Sequence, residues 1–345
     1  MAQTDARLAV IRDWLSDDLG LSLEALSPAS SDASFRRYFR AVTSRGTYIV
    51  MDAPPGKEDV RPYLEVGALL AAIGAHVPHV HESDVARGFL LLEDLGSTPY
   101  LARLEAADDP DLLYADALRV LADIQVQGGE AALKLPPYDR ETLAHELALM
   151  PEWFCIKHLD FVPSDAEEEV LGRAFEFLIT AALTQPQVFV HRDYHSRNLM
   201  VVADRNPGII DFQDARCGPA GYDLVSLLKD CYISWPRARV EGWVSGYRAT
   251  LLARGAAVRD AKQFLRDFDL IGVQRHLKVL GIFSRLWHRD GKRGYLLDLP
   301  RTLDYVRDTC ARYAELTPLA DFLERRAVRA LPRANAKVAA AAARA

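Results

Sequence analysis

Residues 191–213, H-R-D-Y-H-S-R-N-L-M-V-V-A-D-R-N-P-G-I-I-D-F-Q, constrain the fold of this chain more tightly than any other stretch. Two short apolar or β-branched runs, 199–202 and 208–212, flank the turn-forming residues A-D-R-N-P at 203–207, a pattern that predicts a β-hairpin. With the turn centred between Asp204 and Arg205, antiparallel pairing sets Asn198 opposite Asp211. An amide oxygen and a carboxylate then meet at the open end, both hard donors of the kind Mg²⁺ takes. Asp193 lies five residues before Asn198, within reach of the same spot, where a carboxylate can orient a hydroxyl and accept its proton.

H-R-D-x-x-x-x-N followed by a hairpin and D-F resembles the catalytic-loop and metal-loop pair of the protein-kinase-like superfamily. The form here, with His195 after Tyr194 and G-P-A-G-Y-D-L-V-S-L-L-K-D at 218–230, is similar to the aminoglycoside phosphotransferase branch. Three further segments resemble the bacterial cell-wall-recycling anomeric N-acetylmuramate/N-acetylglucosamine 1-kinases within that branch. They are S-D-A-S-F-R-R-Y-F-R at 31–40, M-D-A-P-P-G-K-E-D at 51–59 and Q-R-H-L-K-V-L-G-I-F-S-R-L at 274–286. The likeness implies an α+β, bilobal protein-kinase-like fold with a small β-rich N-lobe and a large helical C-lobe. It also implies ATP and Mg²⁺ as cofactors, Asp193 as the catalytic residue, Asn198 and Asp211 as metal ligands, and an amino sugar acceptor beside Tyr194 and His195. A different small-molecule kinase, for an aminoglycoside, a choline-like acceptor or another metabolite, and a silent nucleotide-binding regulator are the alternatives.

The phosphate-covering segment S-S-D-A-S-F-R-R at 30–37 has no glycine. Its hydroxyls, Ser31 and Ser34 among them, and its N–H groups can cradle phosphates with Arg37 or Arg36 as counter-charge; the competing reading is a surface turn with a solvated basic pair. Where kinases carry a third-strand lysine, the aligned position holds Met51, which leaves Glu65 without that partner and Lys57, Arg36 or Arg37 to replace it. The Glu93 carbonyl and the Leu95 N–H can bracket a purine edge. On a helix Arg275, Lys278 and Arg285 share one face, read either as a solvated basic face or as a pocket for an acceptor carboxylate. Asp223 is expected to anchor the catalytic-loop backbone. Trp235, Trp243 and Trp287 are core candidates that could otherwise stack on a sugar.

Elsewhere, apolar residues at helical spacing predict an opening helix over 6–19, followed by a Ser/Pro/Ala loop. Strands are expected over 38–42, 47–53 and 88–92, with a helix over 59–73 between the last two. This gives a nucleotide-covering lobe with hinge over 1–96, a helical lobe over 97–325 and an Ala/Arg-rich tail over 326–345, frayed or partly helical. At 345 residues two lobes are expected. Four dispersed cysteines without a C-x-x-C pair argue against a zinc site or disulfide framework, and a net charge of −6 argues against wholesale nucleic-acid binding. No apolar run reaches membrane-span length and no signal peptide is evident, so a cytoplasmic protein is expected, without membrane partners and as a monomer.

Overall fold

The computed structural model describes residues 6–31, 35–106 and 109–342. It opens with α1 (Ala6–Asp13), β1 (Leu23–Ser31), β2 (Arg37–Thr43), β3 (Gly46–Asp52), α2 (Arg61–Ala72), β4 (Val80–Asp84) and β5 (Phe89–Glu93). Helices α3 (Tyr100–Glu105), α4 (Pro110–Gln127), α5 (Gly129–Ala132), α6 (Arg140–Leu149) and α7 (Asp165–Leu183) follow. Four short strands come next: β6 (Gln187–Val190), β7 (Leu199–Met200), β8 (Gly208–Ile209) and β9 (Arg216–Pro219). The chain closes with α8 (Tyr222–Leu228), α9 (Arg237–Ala253), α10 (Ala261–His288), α11 (Leu299–Cys310), α12 (Thr317–Leu323) and α13 (Leu331–Ala342). One compact unit comprises Met1–Ala117 with Arg197–Asp214, and the other Leu118–Ser196 with Ala215–Ala345.

The first unit is built on an antiparallel sheet of order β1-β2-β3-β5-β4. Strand alternation puts Phe39, Ala41, Val50, Phe89 and Leu91 on one face, where they pack with Ile11, Trp14 and Leu15 from the opening helical segment. The stretch expected as a Ser/Pro/Ala loop is therefore corrected: most of it is β1, an edge strand paired along its length with β2. Edge strand β4 was likewise not anticipated. Asp52 is fully buried at the end of β3, where it accepts from the Arg7 and Arg37 guanidinium groups.

Hairpin β7–β8 belongs to this unit. Its turn is closed by Asn206, whose side chain accepts from the Val202 N–H at 3.2 Å and donates to the Tyr100 hydroxyl at 2.6 Å and to Asp116 at 2.8 Å. Gly208 lets Leu95 approach closely here: a Cβ would lie 2.8 Å from the Leu95 Cδ1, and the leucine tip would have to turn away. The expected register needs correction: Leu199 faces Ile209 and Met200 faces Gly208, which sets Asn198 opposite Ile210, one residue short of Asp211.

The second unit is helical, with α10 buried through most of its length. Gly281 lets this helix approach the end of α6, since a Cβ there would stand 2.4 Å from the Leu149 carbonyl carbon and 2.5 Å from its oxygen. Backbone atoms cannot swing aside as a side-chain tip can. Gly281→Ala is accordingly expected to destabilise the protein by about 3 kcal/mol despite alanine's better helix propensity, read as a shifted urea midpoint at unchanged slope. In the tail, α13 is tied down: Leu331 is buried, and the Asn335 side chain meets His158 Nε2 at 2.9 Å and donates to the Leu296 carbonyl at 3.2 Å. No helix among the described residues is long and apolar enough to cross a membrane.

Candidate active site

In the second unit, β6 delivers the chain into a loop at 191–196 whose backbone is fixed by two buried carboxylates. Asp223, at the start of α8, accepts from the N–H of His191 at 2.7 Å and of Arg192 at 2.9 Å, which is the anchoring expected of it. Asp230 accepts from the Ser196 N–H at 3.0 Å and from the Ser196 hydroxyl, and also holds the Tyr232 N–H at 3.0 Å. Between these clamps Asp193 keeps 43% of its side chain exposed, with His195 Nε2 at 4.0 Å. Partial burial pushes its carboxyl up, but His195, Lys278, Arg192 and Arg275 together hold it below the usual carboxylate range. It is therefore ionised at neutral pH, able to orient a hydroxyl and receive its proton.

Arg192 is steadied by Glu146 of α6, whose carboxylate lies 2.5 Å from Nη2. The same carboxylate takes the Lys278 ammonium at 2.8 Å, the Gln274 amide at 3.2 Å and the Tyr138 hydroxyl. Burial opposes ionisation of Glu146, but the two cations and its hydrogen bonds bring it down to about 2. Because this folded-state value lies below the ordinary 4.5, the contribution is complete above pH 4.5 and is lost as pH falls toward 2. The wild type is expected to lose on the order of 3 kcal/mol across that window from this group, and a Glu146→Gln variant to show a flatter acid limb in urea titrations.

In the first unit, Asn198 and Asp211 come together despite the shifted register. With Asn198 facing Ile210, an extended Asp211 would point to the other side of the ribbon; its φ of 63° re-aims it. The Asn198 amide donates to Asp211 Oδ2 at 3.2 Å, Gln213 donates to Oδ1 at 3.0 Å, and Arg36 stands 3.7 Å from Oδ1. Phe212 fixes this corner by packing on Tyr63, ring centroids 4.6 Å apart, and against Gly67 of α2, where a Cβ would press its ring at 3.2 Å. The donor set suits a hard divalent cation, since an amide and a carboxylate share one small patch. Among the described residues no cluster of three or more His, Cys, Asp or Glu competes for a metal. Oxygens from phosphates or water would complete the shell.

The remaining expected site residues divide. Leu95 packs on Gly208, and the segment after Glu93 is held by Asp94, which accepts from the Gly96 N–H at 2.9 Å and pairs with Arg40 at 2.6 Å. Ser34 lies outside the described residues, and of Ser31 only the backbone is described. Arg37 requires correction as a phosphate counter-charge, because its guanidinium is engaged by Asp52; Arg36 is the arginine beside Asp211. Met51 is fully buried in β3, and Glu65 is exposed on α2. Tyr194 is corrected as an acceptor contact, since it is fully buried with its ring edge-on to His191. Lys278 is corrected as well: it is buried, and its charge is met by Glu146. Arg275 is 4% exposed, donates to the Cys231 sulfur at 3.6 Å and acts electrostatically on Asp193. The segment is thus no solvated basic face in this part. Trp235 and Trp243 are half-buried and pack edge-on, with Arg239 over both rings. Glu146, Asp230 and Gln213 were missed: the first two are set by tertiary contact with no spacing to announce it, and Gln213 reaches back two residues to Asp211.

Comparison with known proteins bears on this arrangement. The N-acetylmuramate/N-acetylglucosamine kinase of Pseudomonas putida is 44% identical over 334 residues, covering 94% of this chain and 97% of that protein. Among solved structures, the choline kinase LicA of Streptococcus pneumoniae superposes with a TM-score of 0.62 at 14% identity, over 89% of this chain and 99% of that one. An ADP-bound aminoglycoside phosphotransferase gives 0.58 at 13% identity, over 88% and 99%. At such identities these two show the fold alone, an α+β kinase-like one. The phosphotransferase enzyme family matches residues 25–268, and with the catalytic loop and the Asn198–Asp211 pair inside that span, the chain belongs to this family.

Proposed function

We propose that the protein transfers the γ-phosphoryl group of ATP to the anomeric hydroxyl of N-acetylmuramate and N-acetylglucosamine, in peptidoglycan recycling. Phosphoryl transfer is supported by two arrangements, one in each unit: an ionised, solvent-reachable Asp193 on a doubly clamped loop, and an Asn198–Asp211 pair whose Asn198 follows Asp193 by five residues in the chain. The acceptor is supported by the name of the Pseudomonas putida relative, which aligns with nearly the whole chain.

In this reading Asp193 orients the acceptor hydroxyl and receives its proton. The acceptor oxygen forms a bond to the γ-phosphorus as the bond from phosphorus to the β,γ-bridging oxygen breaks, releasing ADP. The transition state is loose, so positioning matters more than base strength, which agrees with a carboxylate held at low pKa. Asn198 and Asp211 would hold Mg²⁺, which when bound supplies positive charge to the phosphate oxygens. Glu93 and Leu95 offer backbone groups to the purine, and Arg36, 3.7 Å from Asp211 Oδ1, serves as a phosphate counter-charge. The enzyme is taken as a cytoplasmic monomer whose partners are small molecules.

The test is ADP release from purified protein with ATP and Mg²⁺ against amino sugars, aminoglycosides and choline. Turnover on N-acetylmuramate and N-acetylglucosamine is expected, with phosphorus NMR placing the new ester at the anomeric carbon. Turnover on cationic acceptors alone would replace the sugar reading, and nucleotide binding without acceptor-dependent ADP would end the catalytic one.

A further inference from the structure

We infer that Glu146 is a positioning residue for phosphoryl transfer, holding Asp193 in its working orientation through the Arg192 guanidinium. The inference rests on the reading of Asp193 given above. Arg192 immediately precedes Asp193 and has a φ of 77°, a left-handed conformation that costs a non-glycine residue on the order of 1 kcal/mol and persists only where the surroundings enforce it. Two carboxylates do so from opposite ends of the residue. Asp223 takes its backbone N–H at 2.9 Å, and Glu146 takes its side chain at 2.5 Å while the guanidinium lies 5.5 Å from the centre of the Tyr138 ring.

Glu146 cannot follow Arg192 if the loop shifts. Lys278 and Gln274 of α10 and the Tyr138 hydroxyl hold its carboxylate on the remaining sides, so one acidic group on α6 joins the loop to the buried middle of α10. A cluster of this kind is poor value as stability alone, because desolvating three charges offsets much of their attraction and apolar replacements often do as well. Its yield is a defined geometry, and the geometry it defines is the peptide entering Asp193. The residues concerned all lie within the second unit.

The experiment compares Glu146→Gln, Arg192→Met and the double variant with wild type and with Asp193→Asn as reference. Turnover is normalised to folded protein by ADP-binding stoichiometry. Each single variant is expected to lower kcat about 10- to 100-fold with KM for ATP changed by no more than about twofold, and the double to be no slower than the slower single. A purely structural role would lower Tm and the folded fraction while leaving kcat per nucleotide-binding molecule at the wild-type value, and that result overturns the inference. Should Glu146→Gln not fold, Arg192→Met, which leaves Glu146 its Lys278 partner, decides alone: wild-type kcat overturns the inference. An active Asp193→Asn would sink the underlying reading, whereas an inactive Asp193→Asn beside a fully active Glu146→Gln would sink only this one.

Discussion

Asp193→Asn is expected to lower kcat by about three orders of magnitude while leaving ATP affinity within about twofold of wild type. The substitution is isosteric and removes only the proton-accepting charge. The loop should survive it, because its backbone is held by Asp223 and Asp230 and its neighbouring side chain by Glu146. The effect on turnover follows from the ionised state of Asp193, which His195, Lys278, Arg192 and Arg275 maintain against partial burial. Turnover by ADP release and affinity by calorimetric ATP titration check both halves. A variant that still turns over at more than about a tenth of the wild-type rate would remove Asp193 from the reaction.

Asp211→Asn should be nearly as damaging, by about 10³-fold in Mg²⁺-supported turnover, because it removes the one carboxylate of the Asn198–Asp211 pair. The fold should tolerate it: Phe212 still packs on Tyr63 and Gly67, and the hairpin turn is still closed by Asn206. The expected signature is a large rise in the Mg²⁺ concentration needed for half-maximal rate, with thermal unfolding little changed. A wild-type metal dependence would mean that the ligands lie elsewhere.

The hairpin and its oxygen pair were legible because turn residues between two apolar runs and the spacing of Asn198 and Asp211 are local signals. The register was not, since it depends on a left-handed Asp211 and a turn closed by a side chain, neither of which apolar patterning encodes. Strands β2, β3 and β5 lie inside the sheet and show apolar character, whereas β1 and β4 are its edges. L-E-A-L-S-P-A-S-S and V-H-E-S-D carry the proline, serine and charge that edges tolerate and that read as loop. Charge alone also misled. Lys278 and Arg37 looked available for ligands, but each has a buried carboxylate, Glu146 or Asp52, that only folding brings to it. The spacing of Tyr194 and Asp193 was visible; that one ring would be fully buried and the adjacent carboxylate open to solvent was not.

A crystal structure with Mn²⁺, a non-hydrolysable ATP analogue and N-acetylglucosamine, with anomalous scattering to locate the metal, decides whether Asn198, Asp211 and Asp193 serve one reaction. The anomalous peak is expected within about 2.2 Å of oxygens from Asn198 and Asp211, and the anomeric hydroxyl within hydrogen-bond reach, about 3 Å, of Asp193. Metal bound away from that pair, or a sugar hydroxyl other than the anomeric one facing Asp193, would contradict it.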